Sequence, residues 1–127
     1  MVVTTLLTTA LAILFVVLSL RVIETRRSQQ VSLGSEGVPG LERRIRAQAN
    51  LAEYAPFGIA LTGLCELNGV WWWLIAIPAI TFVVGRAMHG YALSFTDGSM
   101  RYRVLGMQLT FYALLAFVVL APASVFL

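Results

Sequence analysis

The sequence predicts an all-α membrane protein, a bundle of four transmembrane helices, on three observations. Hydrophobic residues make up 59% of the 127 residues and charged ones only 12%, about half the charged share usual in a soluble domain. The apolar residues fall into four runs, each long enough at about 1.5 Å per residue to cross a hydrocarbon layer of about 30 Å. The basic residues are all arginine and occupy two stretches: Arg21, Arg26, Arg27, Arg43, Arg44 and Arg46, then Arg86, Arg101 and Arg103. A single integral membrane domain over residues 1–127 accommodates them all.

The first run covers about residues 2–21 and holds Ser and Thr but no charge before Arg21. It has no basic leader and no small-residue cleavage site, so it reads as a retained helix rather than a signal peptide. A polar loop follows over about residues 22–42, rich in Ser, Gly and Gln across residues 28–40 (SQQVSLGSEGVPG). The second span covers about residues 45–69, interrupted by Asn50, Glu53 and Glu66, with Pro56 set to bend it. The third covers about residues 70–93 and holds Pro78. The link between these two spans is so short that they must form an antiparallel hairpin. Trp71, Trp72 and Trp73 sit at its turn, where indoles favour the membrane–water interface. A second loop over about residues 94–102 holds the turn pair Asp97-Gly98, and the fourth span covers about residues 103–127. Both arginine stretches flank the two polar loops, so the positive-inside rule puts both loops in the cytoplasm and both termini across the membrane.

Several function classes drop out. The +3 net charge is not a nucleic-acid footprint, because no soluble core presents a basic face. Cys65 is alone in an apolar run and reads as a small buried hydrophobe. No His, Cys, Asp or Glu pair has metal-ligand spacing, and there is no glycine-rich phosphate loop. His89 is solitary and reads as interfacial rather than catalytic.

The chemistry concentrates in the second span. On a helix Arg46, Asn50, Glu53 and Tyr54 stand at i, i+4, i+7 and i+8 and share one face, while Gln48 points away. The stripe descends about 10 Å from the cytoplasmic surface. A carboxylate within a span costs on the order of 3 kcal/mol, so these groups must face protein or a wet cavity. Two readings stay open: an internal ion pair gluing helices, and a polar pocket open to the cytoplasm. Arg26, Arg27, Arg86, Tyr91, Arg101, Tyr102 and Arg103 lie on the same membrane side, Arg86 inside the cytoplasmic half of the third span, and could line such a pocket. Arginines recognise carboxylates by paired hydrogen bonds. With one glutamate to hold an ammonium group, they match a small zwitterion bearing extra carboxylates. A guanidinium aimed at a thiol would also favour its thiolate.

Residues 43–56 (RRIRAQANLAEYAP) resemble the second-helix motif of the membrane-associated proteins in eicosanoid and glutathione metabolism. That family includes microsomal glutathione transferases and the cysteinyl-leukotriene synthase. Residues 19–27 (SLRVIETRR) and 85–92 (GRAMHGYA) are similar to its first- and third-helix ends, and Arg103 opens the fourth helix as the family's catalytic arginine does. The resemblance spans the whole chain in order. It implies a homotrimer that binds glutathione, as co-substrate and with no metal, between neighbouring subunits. Arg46, Gln48, Asn50, Glu53, Tyr54, Arg86 and Tyr91 would contact the tripeptide, Arg26 would come from the adjacent subunit, and Arg103 would stabilise the thiolate. Ala87 stands where some members carry a ligand-contacting tyrosine, and Leu33 where some carry proline. A longer loop before Arg103 makes Arg101 a competing choice.

The implied function is a membrane-bound glutathione transferase, with glutathione-dependent peroxidase activity as a variant. Its partners would be membrane lipid and an apolar electrophile, lipid or hydroperoxide. The short chain is similar to bacterial members, which implies a multi-pass protein of a bacterial inner membrane. The alternative is a non-catalytic lipid-binding scaffold of the same fold, which needs none of the polar set. A transporter or purely structural trimer fits least, because the distal half of the second span is apolar.

Overall fold

The computed structural model describes residues 1–35 and 37–126. It contains four helices in chain order: α1 (Val2–Gln29), α2 (Leu41–Leu67), α3 (Trp72–Ser94) and α4 (Met100–Ser124). The chain is an all-α membrane protein. α1, α3 and α4 are long and apolar enough to cross a membrane. α2 is as long, but Glu42, Arg43, Arg44, Arg46, Glu53 and Glu66 keep it out of that class.

α1 outruns the expected span by a full two turns and carries Arg26 and Arg27 on helix rather than loop. Apolarity ends near Val22, but nothing there breaks a helix. The stop comes at Gln30, whose left-handed backbone (φ 56°) lets the Val31 amide bond Arg26 O at 2.9 Å. α2 and α4 likewise begin a few residues before their expected spans. Pro56 and Pro78 lie inside α2 and α3 without ending either.

The α2–α3 hairpin closes with paired end bonds, Val70 N to Cys65 O at 3.1 Å and Gly69 N to Glu66 O at 3.2 Å. They require the positive φ of Gly69 (79°). The same turn holds both outer helices. Glu66 accepts from the amides of Val3 and Thr4, each at 2.9 Å, and from Thr4 Oγ1 at 2.6 Å, capping the start of α1. Asn68 donates to Ser124 Oγ at 2.9 Å, at the end of α4. Trp71, Trp72 and Trp73 lie exposed beside it.

α2 and α3 pack on each other and share the middle of the bundle. α1 packs on both, α4 packs on both, and α1 and α4 do not meet among the described residues. Leu7, Leu11 and Leu18 of α1, Leu51 of α2, Phe82 of α3 and Phe117 of α4 fill the core. The closest approach joins α3 to α4. A Cβ on Gly85 would stand 2.8 Å from Gly106 O, and one on Gly106 would stand 2.7 Å from Gly85 O. The two backbones therefore touch, as small residues permit between membrane helices.

One face of α2 has no partner among the described residues. It carries Arg46, Glu53, Phe57, Leu64 and Leu67, all exposed.

Candidate functional site

The two arginine stretches meet at one end of the bundle. Arg21 of α1 donates to the carbonyl of Ser94 at the end of α3 (Nη2···O 2.7 Å). Arg44 of α2 donates to Thr25 Oγ1 of α1. Arg43 pairs with Asp97 in the α3–α4 loop at 3.6 Å. These contacts gather the polar ends of α1, α2 and α3 and the α3–α4 loop at one place.

Between α2, α3 and α4 this end opens into a cavity of about 250 Å³, lined by Glu42, Arg43, Arg46, Asn50, His89, Leu93 and Arg103. The i, i+4 spacing of Arg46 and Asn50 brings both to the same opening. Arg103 enters from the first turn of α4. It makes no ion pair or side-chain hydrogen bond among the described residues, so its donors are uncommitted. Arg101 is exposed and does not line the cavity.

Arg86 lies one turn deeper on α3 and is almost wholly buried, at 2% exposure. Its guanidinium donates to Asn50 Oδ1, to Thr110 Oγ1 at 2.9 Å and to Met107 Sδ at 3.0 Å. It also lies over the Tyr54 ring, 4.7 Å from the centroid. Tyr54 in turn meets Phe111 edge-on at 6.0 Å. A buried charge is tolerated only when its donors are used, and here α2 and α4 use them. Arg86 thus sets the Asn50 side chain from below and does not itself line the opening.

The remaining candidates stand apart. Arg46 Nη2 lies 3.6 Å from Glu53 Oε1, but both side chains are about half exposed, at 50% and 55%, on the open face of α2. Glu53 is therefore beside the cavity rather than in its wall. Gln48 turns to α1 and donates to Ser19 Oγ at 2.9 Å, bracing two helices instead of meeting the cavity. Arg26 donates to Gly34 O at 2.8 Å on the outer side of α1. Tyr91 is exposed, stacked on Phe95 at 5.9 Å and edge-on to Tyr102 at 6.1 Å. Within one chain, then, Arg46, Asn50 and Arg103 converge, Arg86 and Tyr54 support them, and Arg26, Gln48, Glu53 and Tyr91 do not join them.

His89 is a wall residue that sequence reasoning set aside as solitary. It is buried, at 7% exposure, and faces the same space as three arginines. Its i+3 spacing from Arg86 was the available signal, since it puts both on the α3 face that meets α2 and α4. Glu42, Arg43 and Leu93 are the other wall residues not singled out.

A sequence profile of the MAPEG family matches residues 4–123. The chain belongs to the MAPEG family. It is similar to the inner membrane protein YecN of Escherichia coli strain K12, 36% identical over 107 residues that cover 84% of this chain and 80% of the relative. YecN of Escherichia coli O6:H1 matches to the same extent. As a MAPEG protein the chain is a multi-pass membrane bundle, and the sequence likeness on residues 43–56 holds. The relatives' name gives a membrane location and no reaction.

Proposed function

We propose that this MAPEG protein is a membrane-bound glutathione transferase whose thiolate also serves hydroperoxide reduction. The observation that carries the reading is the convergence of Arg46, Asn50 and Arg103 on one cavity at the arginine-rich end. Guanidiniums fork carboxylates, and glutathione offers two carboxylates, an ammonium group and a thiol. A free thiol has a pKa of about 8.5, so little thiolate exists at neutral pH. An uncommitted guanidinium in a partly shielded site favours the anion, and each pKa unit corresponds to about 1.4 kcal/mol. The thiolate sulfur then bonds an electrophilic carbon as its leaving group departs. With a hydroperoxide it instead attacks the terminal oxygen, the alkoxide leaves and takes a proton from water to become an alcohol, and a second glutathione thiol converts the resulting sulfenic acid to disulfide and water.

The open face of α2 supports a homotrimer. A glutamate and an arginine turned toward lipid cost several kcal/mol, and α2 is the one helix too polar for a lipid-facing role. A second copy covering that face would enclose Glu53 and Arg46, and α1 of the neighbour could then present Arg26. α2 would be the fourth span, shielded inside the assembly. The chain would sit in a bacterial inner membrane with both arginine-rich loops cytoplasmic. Apolar acceptors would reach the sulfur from the lipid side.

The test is ultraviolet absorbance of thiolate on adding glutathione to purified protein in detergent, followed by conjugation of a chlorinated nitroarene. Arg103→Ala should remove the absorbance and slow conjugation by at least a hundredfold, while Arg101→Ala keeps both. Wild-type protein that binds no glutathione would turn the reading to a lipid-binding scaffold.

A further inference from the structure

A second cavity of about 440 Å³ opens at the arginine-rich end, between α1, α2 and α3. It is distinct from the candidate site, which lies between α2, α3 and α4. Arg43 and Leu93 line both and form the partition.

Its walls are cationic from several sides. Arg21 comes from α1, and Arg43 and Arg44 from α2, with the hydroxyls of Thr25, Ser28, Ser94 and Thr96 between them. The one carboxylate in the wall is Asp97, fully exposed at the loop tip and 3.6 Å from Arg43. Glu24, outside the wall and exposed, stands 4.0 Å from Arg21 Nη1, so three positive charges meet two exposed carboxylates and the wall keeps a net positive charge that suits an anion.

The cations are also held in place. Arg21 is fixed by Ser94, through Nη2 to the carbonyl at 2.7 Å and Nε to Oγ at 3.4 Å, and by the Phe95 ring 4.1 Å beneath it. Arg44 is fixed through Nη1 alone, to Thr25 Oγ1 and to the Arg21 carbonyl at 3.4 Å. Its Nε and Nη2 have no partner among the described residues. Arg43 Nε is buried and likewise unpartnered among them. A buried donor left without an acceptor costs about 1–3 kcal/mol, and more when charged. Helix bracing and the pair with Glu24 account for Arg21, and bracing accounts for one nitrogen of Arg44. It does not explain the unused edges around a common space. α2 also starts in this wall, at Gly40, with no side-chain cap, so its positive dipole end adds to the same field.

We infer that this cavity binds a phosphate-class oxyanion, at a site separate from the candidate glutathione cavity and joined to it through Arg43. Guanidiniums arriving from two helices with interleaved hydroxyls suit a tetrahedral oxyanion carrying more than one acceptor edge, whereas a planar carboxylate fills a single fork. The phosphate could be the headgroup of a membrane lipid, because the cavity lies where spans meet loops, or a free ion from the aqueous side.

Two probes on the full chain in neutral detergent distinguish the sources. Inorganic phosphate is titrated against thermal unfolding at ionic strength matched with chloride. Phosphatidylglycerol is added to mixed micelles and its retention counted by native mass spectrometry, with dioleoylglycerol as the phosphate-free counterpart. A saturating rise of the unfolding midpoint with phosphate supports the free ion. Retained phosphatidylglycerol without retained dioleoylglycerol supports the headgroup. In either case Arg43→Gln and Arg44→Gln should weaken binding at least tenfold. Arg27→Gln, an equal loss of charge on the outer side of α1, should leave it within twofold. Should Arg44→Gln fail to fold, Arg43→Gln decides, since among the described residues the only pair it loses is the one with the fully exposed Asp97, and exposed pairs contribute little to stability. Saturation by neither probe, an equal loss in Arg27→Gln, or unchanged binding in the Arg43 variant overturns the inference.

Discussion

The guanidinium of Arg86, on α3, donates to the side-chain carbonyl of Asn50, on α2, and so fixes a wall residue of the candidate site from inside the bundle. The same group reaches Thr110 and Met107 of α4. Arg86→Met should leave Asn50 and Thr110 short of a donor and cost about 3 kcal/mol. Arg86→Lys keeps the charge but not the fork, and should recover less than half of that loss. Thermal unfolding in detergent, read by circular dichroism, measures both.

Glu53 predicts the opposite pattern. Its pair with Arg46 is half exposed, and pairs of that kind contribute about 0–1 kcal/mol. Glu53→Gln should therefore hardly move the unfolding midpoint, yet weaken glutathione binding tenfold or more by removing the partner for its ammonium group. Isothermal titration beside a melting curve separates the two effects. A parallel fall in stability and affinity would assign Glu53 a bracing role instead.

Gly85 and Gly106 admit no side chain without movement of the main chain. Either Gly→Ala change must part α3 from α4, because the obstacle is a carbonyl oxygen and not a flexible tip. Each should cost about 1–3 kcal/mol, and the double variant should cost less than the sum, because one separation accommodates both methyls. His89 and Arg103 lie within a turn of these glycines, so thiolate absorbance should fall in step.

At the far end, Glu66→Gln keeps one acceptor for the first turn of α1 but loses the charge. The expected loss is about 1 kcal/mol, as for a helix cap. Glutathione affinity should not change, because the candidate cavity lies at the opposite end. Melting and titration on the same preparation check this.

The four helices, the hairpin turn and the meeting of two arginine stretches were legible because hydropathy, charge and turn residues are local signals. Asn50 and Arg46 were legible from their spacing, and Arg103 from its place at the start of α4. Gln48 and Ser19 show what was not legible. Spacing fixes which residues share a face, but not which helix that face meets. The position of Arg86 inside the third span was legible, but its burial was hidden for the same reason, since it depends on Asn50, Tyr54 and Thr110 arriving from two other helices. His89 carried a usable offset from Arg86, but with no second imidazole, thiol or carboxylate nearby in sequence it offered no pattern.

Trp71, Trp72 and Trp73 are the chain's three indoles, and all lie at the hairpin end. The seventeen-residue rise of α3 from Trp72 to His89 puts them about 25 Å from the candidate cavity. Intrinsic tryptophan emission from this protein therefore reports one membrane surface only. It will register burial depth and lipid thickness there, and stay silent when a ligand occupies the other side.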